Sequence, residues 1–151
     1  MPRSRHLAIA LVLASCGPKA VVPEPGEPKA LSGRLIVQII DPAADEGASW
    51  DIVLGPDGRY VGEYTWSDGA TDFRNDCAGT RVPADVERWF ERARASATLE
   101  RPPPYTVPAD LGAYVVTLGY EGEDGTVRYL PADVDPDALR TWAQGFISGC
   151  G

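Results

Sequence analysis

The segment Arg34-Leu-Ile-Val-Gln-Ile-Ile40 puts apolar side chains on both alternating faces. A strand of that kind has no side to give to water, so it belongs in the interior of a sheet. The remaining chain must supply strands beside it and cover for at least one face.

Those elements are legible downstream. Residues 50–54 and 59–66 read as strands, and Gly55-Pro56-Asp57-Gly58 between them is a turn, so the pair forms a hairpin. Residues 67–81 are polar, contain glycine and read as a long loop carrying Cys77. Pro83 opens a helix at a position where its missing N–H costs nothing, with Val86, Phe90, Ala93 and Ala97 as its apolar stripe. The run Arg101-Pro-Pro-Pro-Tyr105 stops it. Residues 113–120 and 126–130 form a second hairpin over Glu121-Gly-Glu-Asp-Gly125. Asp135 is expected to cap a last helix that starts at Pro136. Its core stripe is Leu139, Trp142, Ala143, Phe146 and Ile147, and Gly149 ends it. The order β-ββ-α-ββ-α predicts a two-layer α+β domain over residues 31–151. Its antiparallel sheet has about five strands, with both helices on one face.

The N-terminus carries different information. Arg3 and Arg5 precede the apolar run Leu7-Ala-Ile-Ala-Leu-Val-Leu13, and small residues Ala14-Ser15 follow, the layout of an export signal over residues 1–15. The run is far shorter than the roughly 20 residues a spanning helix needs. Leu13-Ala14-Ser15-Cys16 resembles the lipobox of bacterial lipoproteins at all four positions. The resemblance implies lipid on the Cys16 sulfur, cleavage before Cys16, and a domain held at the membrane by its new N-terminus. Two or more palmitate-like chains, at about 0.8 kcal/mol per buried CH₂, make such attachment stable. Gly17 stands where an Asp commonly retains Gram-negative lipoproteins at the inner membrane, so an outer-membrane address is implied in such a cell. An ordinary secretory signal followed by a chance cysteine is the alternative.

Residues 16–30 contain four prolines and two glycines and read as a semi-extended linker. Residues 31–151 carry 20 Asp/Glu against 10 Arg and no Lys, a formal charge of −10. Such a surface repels phosphate backbones and anionic head groups, which argues against nucleic acid and favours a basic partner or plain solubility. The single histidine, His6, leaves with the signal. That loss argues against His-based acid–base catalysis, His-dependent triads and most zinc sites. No Gly-rich phosphate loop is present, and no cofactor is expected. With Cys16 lipidated, Cys77 and Cys150 remain as an even pair in an exported domain and are expected to form a disulfide. The alternative is a free thiol.

Four constellations invite a functional reading. Asp68, Asp72 and Asp76 recur every four residues, but the spacing is not that of an EF-hand loop, so a solvated loop is expected and no metal. Glu121, Glu123 and Asp124 cluster at a turn, where carboxylates are usually exposed rather than catalytic. The Pro-rich run 101–108 reads as a rigid connector or a docking segment. Tyr60, Tyr64 and Trp66 share one strand face, and Tyr114 and Tyr120 share another. If these faces coincide on the helix-free side, they form an aromatic binding surface with an acidic rim. If not, they pack beneath the helices.

From Trp50 to Ile147 the layout resembles emfourin-type domains, small proteinaceous inhibitors of thermolysin-like metallopeptidases. The resemblance lies in the hairpin ending Tyr60-x₃-Tyr64, the helix Asp85-Val-Glu-Arg-Trp-Phe90, and Pro108-Ala-Asp110 leading into Tyr114-Val-Val-Thr-Leu118. It continues in the return through Thr126-Val-Arg-Tyr-Leu130 to a short closing helix. The cysteine pair and the lipid anchor depart from that pattern, and no inhibitory residue carries over. The function expected is a non-enzymatic, membrane-tethered binding domain, with a peptidase as one candidate protein partner. A carboxylate-dependent hydrolase and a structural envelope protein without a discrete ligand are the competing classes. The lipobox reading has a direct check: Cys16→Ser should release the chain from the membrane fraction without lowering its melting temperature. Retention of the variant in washed membranes would contradict it.

Overall fold

The computed structural model describes residues 31–44, 47–104 and 113–150. The export signal, Cys16, the linker and residues 105–112, including Tyr105 and the Pro108-Ala-Asp110 step, lie outside the described residues. Six strands and two helices follow in the order β1 Arg34–Asp41, β2 Ala48–Leu54, β3 Arg59–Ser67, β4 Asp72–Thr80, α1 Pro83–Ser96, β5 Val115–Glu121, β6 Val127–Tyr129, α2 Pro136–Ile147. The strands form one antiparallel sheet in the order β4-β3-β2-β1-β5-β6, and the fold is α+β.

β1 is interior, between β2 and β5, as its doubly apolar sequence requires. Its two faces are not equivalent. Leu35, Val37 and Ile39 are fully buried, whereas Ile36, Gln38 and Ile40 on the opposite face are half-buried. Burying three such aliphatic side chains contributes roughly 1.5–3 kcal/mol each. The pairing Leu35↔Leu54, Val37↔Ile52 and Ile39↔Trp50 continues this face into β2, and Leu54↔Tyr60 and Trp50↔Tyr64 continue it into β3. On the other side Leu35↔Tyr120, Val37↔Leu118 and Ile39↔Val116 continue it into β5.

Both helices pack on this face. α1 buries Val86, Trp89, Phe90 and Ala93, and α2 buries Leu139, Trp142, Ala143 and Phe146. The helices meet through stacked Trp89 and Trp142, 5.2 Å between ring centroids. Phe90 reaches Tyr120 and Phe146 reaches Tyr60, both edge to face. Trp89 was missing from the expected α1 stripe; Ala97, expected on it, is instead the residue that ends the helix. Arg81 lies over the Phe146 ring at 4.8 Å and donates from Nη2 to the Trp142 carbonyl at 3.1 Å. A side chain at Gly145 would occupy the space its guanidinium fills.

Two expectations need correction. Residues 67–81 are not a long loop, because most of the segment is β4, a strand beyond the five expected. Asp72–Thr80 has no apolar periodicity because β4 is the outer strand beside β3 and is largely exposed. Its strand geometry comes from the ladder Arg59↔Thr80 to Ser67↔Asp72, not from its own propensity. Only the tip is a turn, in which the Asp68 carboxylate accepts from the Ala70 and Thr71 backbone N–H groups at 3.0 and 2.8 Å. The second correction concerns Asp135. Its backbone is left-handed, with φ 44°, and its side chain makes no cap to α2; the carboxylate pairs with Arg92 of α1 instead.

Cys77 and Cys150 form the disulfide, with Cα atoms 5.0 Å apart across a sequence separation of 73. The bond fastens the end of α2 to β4, a largely exposed outer strand. Closing a loop of that size stabilises by about 4 kcal/mol on a chain-entropy basis. Cys77→Ala should therefore lower the melting temperature by roughly 10 °C under oxidising conditions, and β4 amides should lose protection from hydrogen exchange. Equal melting curves for variant and parent would rule the bridge out as a stabilising element.

Candidate binding surface

The five aromatics proposed as a binding surface do share one face, but it is the helix-bearing one. Tyr60, Tyr64 and Trp66 pair with Leu54, Trp50 and Ala48, and Tyr120 pairs with Leu35, so all four point where β1 buries its aliphatics. Tyr114 joins them, edge to face against Trp50 at 5.9 Å. Each ring already has an aromatic neighbour. Trp50 stacks on Tyr64 at 4.7 Å, Trp66 on Phe73 at 4.1 Å, and Tyr60 meets Phe146 at 5.0 Å. Tyr60 is buried and the other four are half-buried. A side chain on Gly79 or Gly149 would collide with the Tyr60 ring or hydroxyl, so the backbone is fitted around it. These aromatics serve as core, not as a helix-free binding surface.

Some members of the other acidic constellations have structural uses. Glu121 forms an ion pair with Arg34 at 2.8 Å. Asp124 accepts the Thr126 N–H at 2.9 Å and its hydroxyl at 3.0 Å. Those bonds stabilise the ionised form and hold the Asp124 carboxyl below its ordinary value. Asp68 closes the β3–β4 turn, while Asp72 and Asp76 point from β4 toward the helix-free side. Pro103 and Pro104 line a depression beside Tyr114, Leu130 and Arg140, so that part of the Pro-rich run leans on the domain. Among the described residues no group of His, Cys, Asp and Glu side chains is arranged to hold a metal ion.

The helix-free face carries the remaining side chains. Across β1–β4 two neighbouring rows run perpendicular to the strands. One is apolar: Ile36↔Val53, Val53↔Val61 and Val61↔Ala78 are paired in sequence, and Val61 is 61% exposed. The adjacent row is acidic: Asp51↔Glu63 and Glu63↔Asp76 are directly paired, with Gln38 beside Asp51. Gln38 Nε2 donates to Asp51 at 3.1 Å, and Arg74 reaches Glu63 at 3.1 Å. Asp76 makes no hydrogen bond or ion pair among the described residues. Asp51, Val53, Val61, Glu63, Asp76 and Ala78 line one shallow depression.

The sequence does not show this surface, because the residues of β4 have no local strand signal and the Asp76 end of the acidic row is placed only by the ladder to β3. A signal was present in β2 and β3. Trp50, Ile52 and Leu54 alternate with Ser49, Asp51 and Val53, and a tight hairpin forces Tyr60 and Tyr64 onto the tryptophan side. No family model, curated protein or solved structure matches the chain.

Proposed function

We propose that the chain is a lipid-tethered protein of the cell envelope whose domain works by binding a protein partner, not by catalysis. The observation that supports binding is the helix-free face. Val61, a large aliphatic residue on β3, next to the outer strand β4, is 61% exposed among paired apolar neighbours, while the opposite face is covered by the helices. Exposed apolar ground with a polar border is characteristic of interaction surfaces. The tether rests on the sequence: the apolar run ends in Leu13-Ala14-Ser15-Cys16, and a proline-rich linker separates Cys16 from the sheet. No helix of the described residues is long and apolar enough to cross a membrane. The emfourin-like layout makes a metallopeptidase the partner class to try first.

Against hydrolysis stands the employment of the carboxylates. Asp124 braces the β5–β6 turn, Glu121 pairs with Arg34, and no charged side chain among the described residues is buried. A photo-crosslinking residue placed at Val61 should capture a protein partner in the native envelope. The same residue placed at Glu91, on the exposed side of α1, should capture none. Capture from Glu91 alone would contradict binding through the sheet.

A further inference from the structure

The helix-free face also specifies the chemistry of what covers it. We propose that the β2–β4 part of this face docks a cationic amphipathic segment of a partner protein. Its apolar side chains sit on the Val53–Val61–Ala78 row and its Lys or Arg side chains reach the Asp51–Glu63–Asp76 row. The inference rests on reading the chain as a binding domain and adds the partner's character.

Three observations carry it. The first is cost. Like charges directly opposite one another on neighbouring strands destabilise a sheet. Here three carboxylates stand in one register, Asp51↔Glu63↔Asp76. Arg74 offsets the charge of Glu63 and Gln38 hydrogen-bonds Asp51, but Asp76 has no partner among the described residues. A departure of that kind from local stability is expected where function requires it.

The second is geometry. Neighbouring strands lie about 4.8 Å apart, so each row presents one group at about that interval. A helix laid across the strands rises roughly 4.5 Å between residues three apart and 6 Å between residues four apart. Cations at that spacing meet the acidic row. Apolar residues on the adjoining stripe meet the valine row, about 6.8 Å away along the strands.

The third is exclusion by charge. Residues 31–151 carry a formal charge of −10 and no lysine. A second copy would bring together two domains that each carry a formal charge of −10. An anionic bilayer or a nucleic acid meets the same repulsion. A cationic segment is the occupant whose charge complements this face.

The test is titration of the mature chain carrying Cys16→Ser with a synthetic Leu/Lys amphipathic helix at physiological salt. Asp51→Asn/Glu63→Gln/Asp76→Asn should weaken binding at least tenfold, and Val61→Ser should weaken it several-fold. Glu87→Gln/Glu91→Gln/Asp133→Asn removes equal charge elsewhere and should leave affinity within twofold. A lysine peptide of the same charge without leucines should bind at least tenfold more weakly. Equal weakening by the two triple variants would mean that net charge alone attracts the peptide, and would overturn the proposal. So would an unchanged affinity for Val61→Ser, a single surface substitution that spares the carboxylates. Crosslinking from Val61 separates this inference from the one beneath it: capture of a neutral or acidic segment removes the cationic partner and leaves the binding domain standing.

Discussion

In an antiparallel ladder, paired residues share a face, so fixing the orientation of one strand fixes all its neighbours. β1 is the strand that does the fixing here. Leu35, Val37 and Ile39 are fully buried, and through unbroken pairing they commit Leu54, Tyr60, Gly79 and Tyr120 to the same side. The helices then have one surface to cover, and the aromatic side chains of four strands become its filling. A one-residue slip of β2 or of β3 would turn Asp51 or Glu63 under the helices, where burying a carboxylate is costly.

The same parity produces the helix-free face. Each core position in β2–β4 leaves its neighbour pointing outward, and those neighbours are Asp51, Val53, Val61, Glu63, Asp76 and Ala78. The disulfide acts where this arrangement is weakest. β4 supplies one end of both outward rows yet contributes little apolar burial, and Cys77 secures it to α2 through Cys150. Stability and the proposed binding therefore meet in β4. The bond that holds an exposed strand in place also holds Asp76 and Ala78 in register with Glu63 and Val61.

Much of the fold was legible because apolar periodicity and turn chemistry agreed. The doubly apolar β1, the Gly55–Gly58 turn, both helix starts at proline and the cysteine pair all read correctly from residue type alone. β4 did not, because its ordering depends on a ladder and a disulfide, neither of which has a local signature in Asp-Phe-Arg-Asn-Asp-Cys-Ala-Gly-Thr. Asp135 looked like a cap, and tertiary pairing with Arg92 took its carboxylate elsewhere. The aromatic surface was misassigned for a related reason. Period-two spacing shows that Tyr60, Tyr64 and Trp66 share a face, but the choice of face belongs to the hairpin partner. Reading Trp50, Ile52 and Leu54 together with them would have decided it.

One face of the sheet is open while the other is sealed by the helices, and methyl NMR of the mature chain with a soluble paramagnetic agent measures that difference directly. The Val61 methyls should relax strongly, and those of Val37, Ile39, Ile52 and Leu54 little or not at all. Val61 methyls as protected as those of Ile52 would show that the chain itself covers this face, and that it is not open for binding.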